Sequence, residues 1–284
     1  MRDPFLIDGP TCISFSGGRT SAYMLWRVLQ SNGGLPDDCC VIFANTGKEE
    51  EETLRFVRDC AAHWSVPIEW IEYRDDDQGF ALVDFNTASR NGEPFEALIR
   101  KRQYLPNPVT RFCTSDLKIK PMYRLLRDAN MLADGLSMMV GIRADEQRRV
   151  AKMRNGKHSE SVHIENVLPL AIAGITVQHV NRFWGGQPFN LELTTFKGRT
   201  LAGNCDLCFL KPPAQRLSLV AERPARAVWW IRMEQAAAIG KDVTTDGARF
   251  TKDGPSYASI AEFASKQVDA FDHDQEAIPC FCGE

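Results

Sequence analysis

Several common features are missing from this 284-residue chain, and each absence removes a class of protein. No uninterrupted apolar run approaches the roughly 20 residues needed to cross a bilayer, so no membrane-spanning helix is expected. The opening Met1-Arg-Asp-Pro-Phe-Leu-Ile-Asp-Gly-Pro10 lacks the apolar core of a signal peptide, and the protein is read as cytoplasmic. Neither sign of charge dominates. Lys and Arg number 34 against 37 Asp and Glu, and the formal net charge of -3 provides no general attraction to nucleic acid. His63, His158, His163, His179 and His273 show no H-x-x-H or H-x-x-x-H spacing, so surface or core roles are expected for them. Internal repeats and low-complexity tracts are absent. What is left is a globular chain long enough for one large domain, or for one domain with an appendage.

Cysteine, by contrast, is plentiful at nine residues. In a reducing compartment these are not expected to be structural disulfides, which brings metal and redox chemistry forward. Cys12, Cys39, Cys40 and Cys60 lie in apolar strand-like or helix-like patterns and read as small buried hydrophobes. Cys113, Cys205, Cys208, Cys280 and Cys282 stand beside glycine, proline and charged residues, where ligands usually sit.

The first half alternates strand and helix signals. Cys12–Ser16, Asp38–Asn45 and Ile68–Tyr73 read as strands, separated by helical stretches at Thr20–Ser31 and Glu50–His63. That alternation predicts an α/β fold, a Rossmann-like parallel sheet with helices on both faces. Asp75-Asp-Asp breaks the pattern, and about residues 74–110 read as an irregular insertion carrying Arg100-Lys-Arg102 and Pro106-Asn-Pro108. A helix from about Asp116, capped by Thr114 or Ser115, and a buried strand at Ser137–Ile142 follow. The last third reads as mostly helical, near Ala214–Ile239 and Tyr257–Phe271, with a tail ending Pro279-Cys-Phe-Cys-Gly-Glu284. The division expected is an α/β domain over 1–185 and a smaller cysteine-bearing helical region over 186–284.

Ser16-Gly17-Gly18-Arg19-Thr20-Ser21 joins the first strand to the first helix. Unsatisfied N–H groups and the helix dipole favour an anion at such a terminus. Gly17 and Gly18 let a phosphate approach the backbone, and Ser16 and Ser21 offer hydroxyl donors. Neither the Walker spacing nor G-x-G-x-x-G is present. Phe43-Ala-Asn45-Thr46-Gly47-Lys-Glu49 ends the second strand, and its turn is expected to share a crevice with the glycine loop. Asn45 and Thr46 offer polar groups there, although an ordinary strand-to-helix turn reads the same way. Gly141-Ile-Arg143 follows a later strand and places a forked cation at its carboxyl end, with Arg148 and Arg149 either joining it or facing solvent. Lys118 lies in Arg111-Phe-Cys113-Thr-Ser-Asp-Leu-Lys-Ile-Lys-Pro121.

In this order, the S-G-G-x-x-S loop, the F-A-N-T-G-K-E turn, the Cys113–Pro121 segment and Gly141-Ile-Arg with Glu146 and Arg149 resemble the phosphoadenylyl-sulfate (PAPS) reductase family of the PP-loop superfamily. Val167-Leu-Pro-Leu170 looks like that family's apolar-proline segment, and the resemblance covers about residues 10–185. It implies an adenine-nucleotide pocket built from Ser16, Gly17, Gly18, Arg19, Thr20, Ser21, Asn45, Thr46, Gly47, Lys118, Arg143 and Arg149. The nucleotide would be ATP or an activated sulfate, PAPS or APS, and use of ATP would bring Mg²⁺ held largely by phosphates and water.

Cys205-Asp-Leu-Cys208 is a C-x-x-C pair whose sulfurs can bind one metal centre. One pair is too few. The resemblance makes Cys113 the third candidate, with Cys280 or Cys282 as the fourth or an open iron in its place. A [4Fe-4S] cluster is the expected occupant of thiolate-only ligation, with structural zinc as the alternative. Iron–sulfur members of the family carry adjacent cysteines where Phe112-Cys113 stands, so their ligand pattern does not transfer whole. The resemblance also gives Cys282-Gly283 a second role as a nucleophile on a flexible terminus, alternative to ligation by the tail. The expected activity is sulfur chemistry near a cysteine-bound cluster, with Lys118 and Arg143 offsetting developing charge. It takes the form of activated-sulfate reduction with a thiol or electron donor, or of ATP-dependent sulfur transfer. A nucleic-acid acceptor, as in tRNA thiolation or DNA phosphorothioation, is left open by the basic clusters at Arg100–Arg102 and Arg148–Lys157. A nucleotide-binding module with structural zinc and no turnover is the reading of a different class. Oligomeric state is left open.

Overall fold

The computed structural model describes residues 2–155, 163–196, 199–238 and 248–272. Among these, a six-stranded sheet is built from β1 (Thr11–Phe15), β2 (Cys39–Asn45), β3 (Glu69–Tyr73), β4 (Phe80–Val83), β5 (Leu136–Val140) and β6 (Ile164–Val167), in the order β4-β3-β2-β1-β5-β6. Five strands run parallel and β4 is antiparallel to β3. The α/β class expected from strand–helix alternation is the class observed. β1 has β2 on one side and β5 on the other, so the order of winding reverses there. A crevice opens outside the carboxyl ends of the strands at such a point.

Period-two alternation sorts the side chains onto two faces. Cys12, Ile42, Ala44 and Ile71 pack with Met122, Leu126 and Leu132 on one of them. On the other, Phe43 meets Trp70 edge to face at 4.9 Å. Parallel strands buried on both faces read as near-continuous apolar runs, as Cys39-Cys-Val-Ile-Phe-Ala does. Burial lifts the Cys39 thiol to about 12 and drives Cys60 higher still; the Cys12 thiol is raised by its hydrogen bond with Cys40 and by burial. These are the inert, packed thiols that the apolar pattern predicts.

The helices are α1 (Arg19–Asn32), α2 (Glu51–Trp64), α3 (Glu93–Arg102), α4 (Phe112–Thr114), α5 (Lys120–Asp128), α6 (Gln147–Asn155), α7 (Pro169–Ile172), α8 (Val177–Gly185), α9 (Pro213–Glu222), α10 (Ala225–Ala238) and α11 (Tyr257–Asp272). Within the stretch read as irregular, the structure holds β4 and α3. A four-residue strand and a ten-residue helix with Pro94 in its first turn leave little periodic signal. The segment near Ala214–Ile239 is two helices, because Pro224 disfavours helical backbone at Arg223.

Thr114 and Ser115 cap nothing. The chain is already helical at Phe112, and α4 continues through a π turn, Ser115–Ile119, directly into α5. Pro121 supplies the cause: it has no N–H to give, and its ring crowds the carbonyl one turn back, so the helix widens there.

By internal packing the described residues fall into two units. The first comprises residues up to Arg102 with Arg111–Asp206, and the second comprises Gln103–Thr110 with residues from Leu207 onward. In the second, α11 packs on α9 and α10 around Trp230, Phe250 and Tyr257. Buried Glu234 accepts hydrogen bonds from the N–H groups of Phe250 and Tyr257. No described helix is long and apolar enough to cross a membrane.

Candidate functional site

Gly17 is held at φ +73°, a region that costs any residue with a Cβ. A Cβ there would also stand 2.7 Å from Thr53 Cγ2 and 3.1 Å from Phe43 Cε2, so the loop presses against β2 and α2. Gly18 caps α1 with extended backbone and no side-chain cap bond. The Ser21 hydroxyl donates to Gly18 O at 3.0 Å, accepts from Ser16 N at 3.1 Å and lies 2.9 Å from Ser16 Oγ. Ser21 is buried, so its hydroxyl closes the loop from within. The opening amides of α1 remain at the mouth.

The turn after β5 packs directly on this mouth. A Cβ on Gly141 would lie 3.1 Å from Ser21 Cα, so only glycine permits the approach. Two residues on, Arg143 donates to Thr20 Oγ1 at 3.1 Å and to Asp145 Oδ1 at 2.9 Å, while its N–H donates to Glu146 Oε2 at 3.1 Å. A guanidinium is thereby fixed beside the first turn of α1. Arg149, more exposed, pairs with the same Glu146. Arg19 is directed elsewhere: its guanidinium donates to Asn190 Oδ1, Thr195 Oγ1 and Leu191 O at 2.7–2.9 Å.

At the end of β2, Asn45 is fully buried and shapes the turn. Its amide donates to Glu72 Oε1 and Ser89 O, and its oxygen accepts from Gly47 N. Gly47 adopts φ +75° and packs against Gly92 and Pro94. Thr46 donates its hydroxyl and its N–H to the Glu49 carboxylate at 2.9–3.0 Å.

Glu49 is the centre of the arrangement. Its side chain is 2% exposed, and Lys118 Nζ stands 3.5 Å from Oε1. Cys205 is bridged antiparallel to Glu49 along the backbone, and its Sγ lies 3.6 Å from Thr46 Oγ1. Burial acts against the Lys118 charge, but the Glu49 carboxylate outweighs it, joined by Cys205 and Cys113, and the pKa of Lys118 is raised. Lys118 projects from the π turn, a feature frequent at functional sites. The Lys118 charge therefore lies within the electrostatic reach of two partly buried thiols, Cys113 from α4 and Cys205 from the other end of the unit.

Of the sequence-derived set, the structure brings Ser16, Gly17, Gly18, Thr20, Ser21 and Arg143 to one mouth, and Thr46, Lys118, Cys113 and Cys205 to the neighbouring strand end. Cys208 belongs to the second unit, while Cys280 and Cys282 lie outside the described residues. Among the described residues no three His, Cys, Asp or Glu side chains converge as metal ligands. Lys48, Glu49 and Asp206 were not singled out by the sequence; the signals were that Lys48 and Glu49 fall inside the F-A-N-T-G-K-E turn and Asp206 inside the C-x-x-C pair. A cavity of about 750 Å³ lies at the opposite, amino ends of β1, β5 and β6, lined by Asp8, Ser137 and His163 among others. The helix mouth, fixed guanidinium and thiols are all at the carboxyl ends, which is why the site is placed there.

A parallel α/β sheet with an S-G-G-x-x-S loop at its switch point defines a protein of the PP-loop class. The phosphoadenosine phosphosulfate reductase domain matches residues 10–185, and the chain belongs to that family. It is similar to the uncharacterized nin region protein ORF290 of Escherichia phage lambda, at 27% identity over 218 residues, 74% of this chain and 69% of that protein. It is also similar to the uncharacterized protein MJ0066 of Methanocaldococcus jannaschii, at 30% identity over 165 residues, and there it spans only 29% of the relative's length. Two solved structures are distant neighbours. The phosphate complex of PAPS reductase from Candida auris has a TM-score of 0.41 and 13% identity, covering 64% of this chain and 76% of the other. The U34-tRNA thiolase NcsA from Methanococcus maripaludis, with its [4Fe-4S] cluster, has a TM-score of 0.40 and 14% identity, covering 98% and 78%.

Proposed function

We propose that this chain binds an adenine nucleotide at the mouth of α1 and carries out sulfur chemistry at the adjacent end of β2. The carrying observation is the pairing of two features on neighbouring strands: a glycine loop with Arg143 fixed over it, and Cys205 laid beside Thr46 and the Glu49–Lys118 pair, with Cys113 within reach of the same charge. Loop amides and Arg143 suit the anionic tail of ATP, PAPS or APS. Lys118 suits negative charge developing where sulfur is transferred. Arg149 acts through Glu146, which also accepts the Arg143 N–H. Asn45 and Gly47 shape the turn that presents Thr46.

Cys113 and Cys205 would supply two thiolates to a [4Fe-4S] cluster, short of the number it needs; Cys208 and Cys280 are the further ligands proposed. A bound cluster would supply electron or sulfide transfer, and the lysine would balance its negative charge. In the reductase form of the reading the Cys282 thiolate attacks the sulfur of the activated sulfate and expels the nucleotide, and two electrons from a thiol donor then release sulfite from the S-sulfonated cysteine and restore the thiol. In the sulfur-transfer form, ATP with Mg²⁺ activates an acceptor, and the acceptor would be a nucleic acid if the basic residues of α6 engage it.

Anaerobic product analysis decides the chemistry. Sulfite released from an activated sulfate selects reduction; AMP and pyrophosphate formed from ATP and sulfide, dependent on added RNA or DNA, select transfer. Cys205→Ser is expected to lose iron and visible absorbance, and unchanged iron content removes Cys205 as a ligand. A colourless, zinc-loaded, iron-free anaerobic preparation with no turnover would replace the whole reading with a nucleotide-binding module.

A further inference from the structure

We propose that Lys48 and Asp206 are positioning residues that fasten the Cys205 segment to the turn after β2 and so set the place of the Cys205 thiol; the functional meaning of that place rests on the sulfur-site reading above. The two side chains form an ion pair with Nζ 3.0 Å from Oδ2, at 8% and 10% exposure. The main chain joins them as well, because Asp206 N–H donates to Lys48 O at 2.8 Å. With Glu49 and Cys205 bridged antiparallel, Lys48 and Asp206 stand directly opposite each other on the next rung. Side chains alternate along such a pair, so the ion pair projects to one side and the Glu49–Cys205 rung to the other.

An isolated bridge holds its register weakly, and a slip by one residue sends each side chain to the wrong face. Charge prevents the slip here. Moving Asp206 one rung would set its carboxylate against the carboxylate of Glu49, both buried, while Lys48 would lose the Asp206 carboxylate. Buried ion pairs are poor sources of net stability but serve well to select a register. The register selected is the one that puts Cys205 Sγ 3.6 Å from Thr46 Oγ1 and within the field of Lys118.

The test measures the alkylation rate of Cys205 by iodoacetamide, followed by peptide mass spectrometry on the full-length protein as purified. Asp206→Asn is expected to raise that rate at least about tenfold through local opening, while the rates at Cys12 and Cys60 stay at wild-type values. The exchanged pair K48D/D206K is expected to return Cys205 to near the wild-type rate, which a merely destabilised fold would not do. An unchanged Cys205 rate in a folded Asp206→Asn protein overturns the proposal. If the single variant does not fold, a folded K48D/D206K protein decides: slow alkylation supports the latch, and fast alkylation overturns it. Nucleotide affinity of the wild type is measured alongside; its absence removes the function reading while the alkylation data still judge the latch.

Discussion

Gly17 and Gly18 are neighbours with opposite surroundings, and replacing each by alanine separates folding from binding. At Gly17 the left-handed φ of +73° costs a non-glycine residue about 1–2 kcal/mol. The new methyl would lie 2.7 Å from Thr53 Cγ2, and relieving that overlap in a packed interior costs about 1–3 kcal/mol more. Gly17→Ala is therefore expected to lose about 2–5 kcal/mol of stability. Gly18 has φ -106°, and its added Cβ would meet only Ser16 Oγ, at an ordinary 3.7 Å. Gly18→Ala is expected to stay within about 1 kcal/mol of wild type, yet its methyl stands in the open space before the helix mouth. Urea midpoints report the first quantity, and calorimetric titration with ATP, PAPS and APS reports the second. For Gly18→Ala the expected loss of affinity is tenfold or more, about 1.4 kcal/mol. A Gly17→Ala protein as stable as wild type would refute the packing argument. A Gly18→Ala protein with full affinity for every nucleotide would refute the placement of the anion.

Two further predictions concern charge. Lys118→Met leaves Glu49 buried without its cation, and since Lys118 is itself 31% exposed the expected cost is about 1–3 kcal/mol. The raised pKa of Lys118 means that this contribution is complete below 10.5 and declines as pH rises through the higher folded value. The stability gap between wild type and Lys118→Met should hold from neutral pH to about 10 and narrow above it; a gap already closing at pH 8 would contradict the assignment. Asp116 is the reverse case. Burial opposes its charge, but hydrogen bonds from Ser115, Lys120 and Arg102 outweigh it and lower the pKa below 3.8. Asp116→Asn should cost about 2 kcal/mol at neutral pH, a difference that persists above 3.8 and vanishes as acid protonates the wild-type carboxyl. Equal acid midpoints with a constant offset would count against it.

The sheet's central strands were readable because each is an apolar run bounded by turn residues, and the helix mouth was readable because glycines sit at the junction. The candidate mouth followed from residues close together in the chain. Glu49 did not. An acidic residue after a strand reads as a solvated helix start, and it is buried here because Cys205, far along the chain, is laid beside it. Asn45 and Arg19 carried the right polarity for ligand contact, but polarity alone does not show direction. Asn45 turns inward to Glu72, and Arg19 turns to the Asn190–Thr195 segment. β4 and α3 were missed because four apolar residues in a row and ten residues with a proline in the first turn are too short to show a period.

The π turn has a consequence for insertions and deletions. Buried positions along this helix are Phe112 before the π turn, Asp116 and Leu117 within it, and Pro121, Met122 and Leu126 after it. A π turn closes residue i on i+5 where an ordinary helix closes i on i+4, so the segment carries a surplus residue, and the π turn and α5 both lie against β2 and β3. Deleting one residue between Ser115 and Ile119 would restore regular winding while rotating the front half by about 100°. Phe112 and Cys113 would swing away while Met122 and Leu126 kept their places, so one codon's worth of chain stands between an intact core and a dispersed cysteine–lysine cluster.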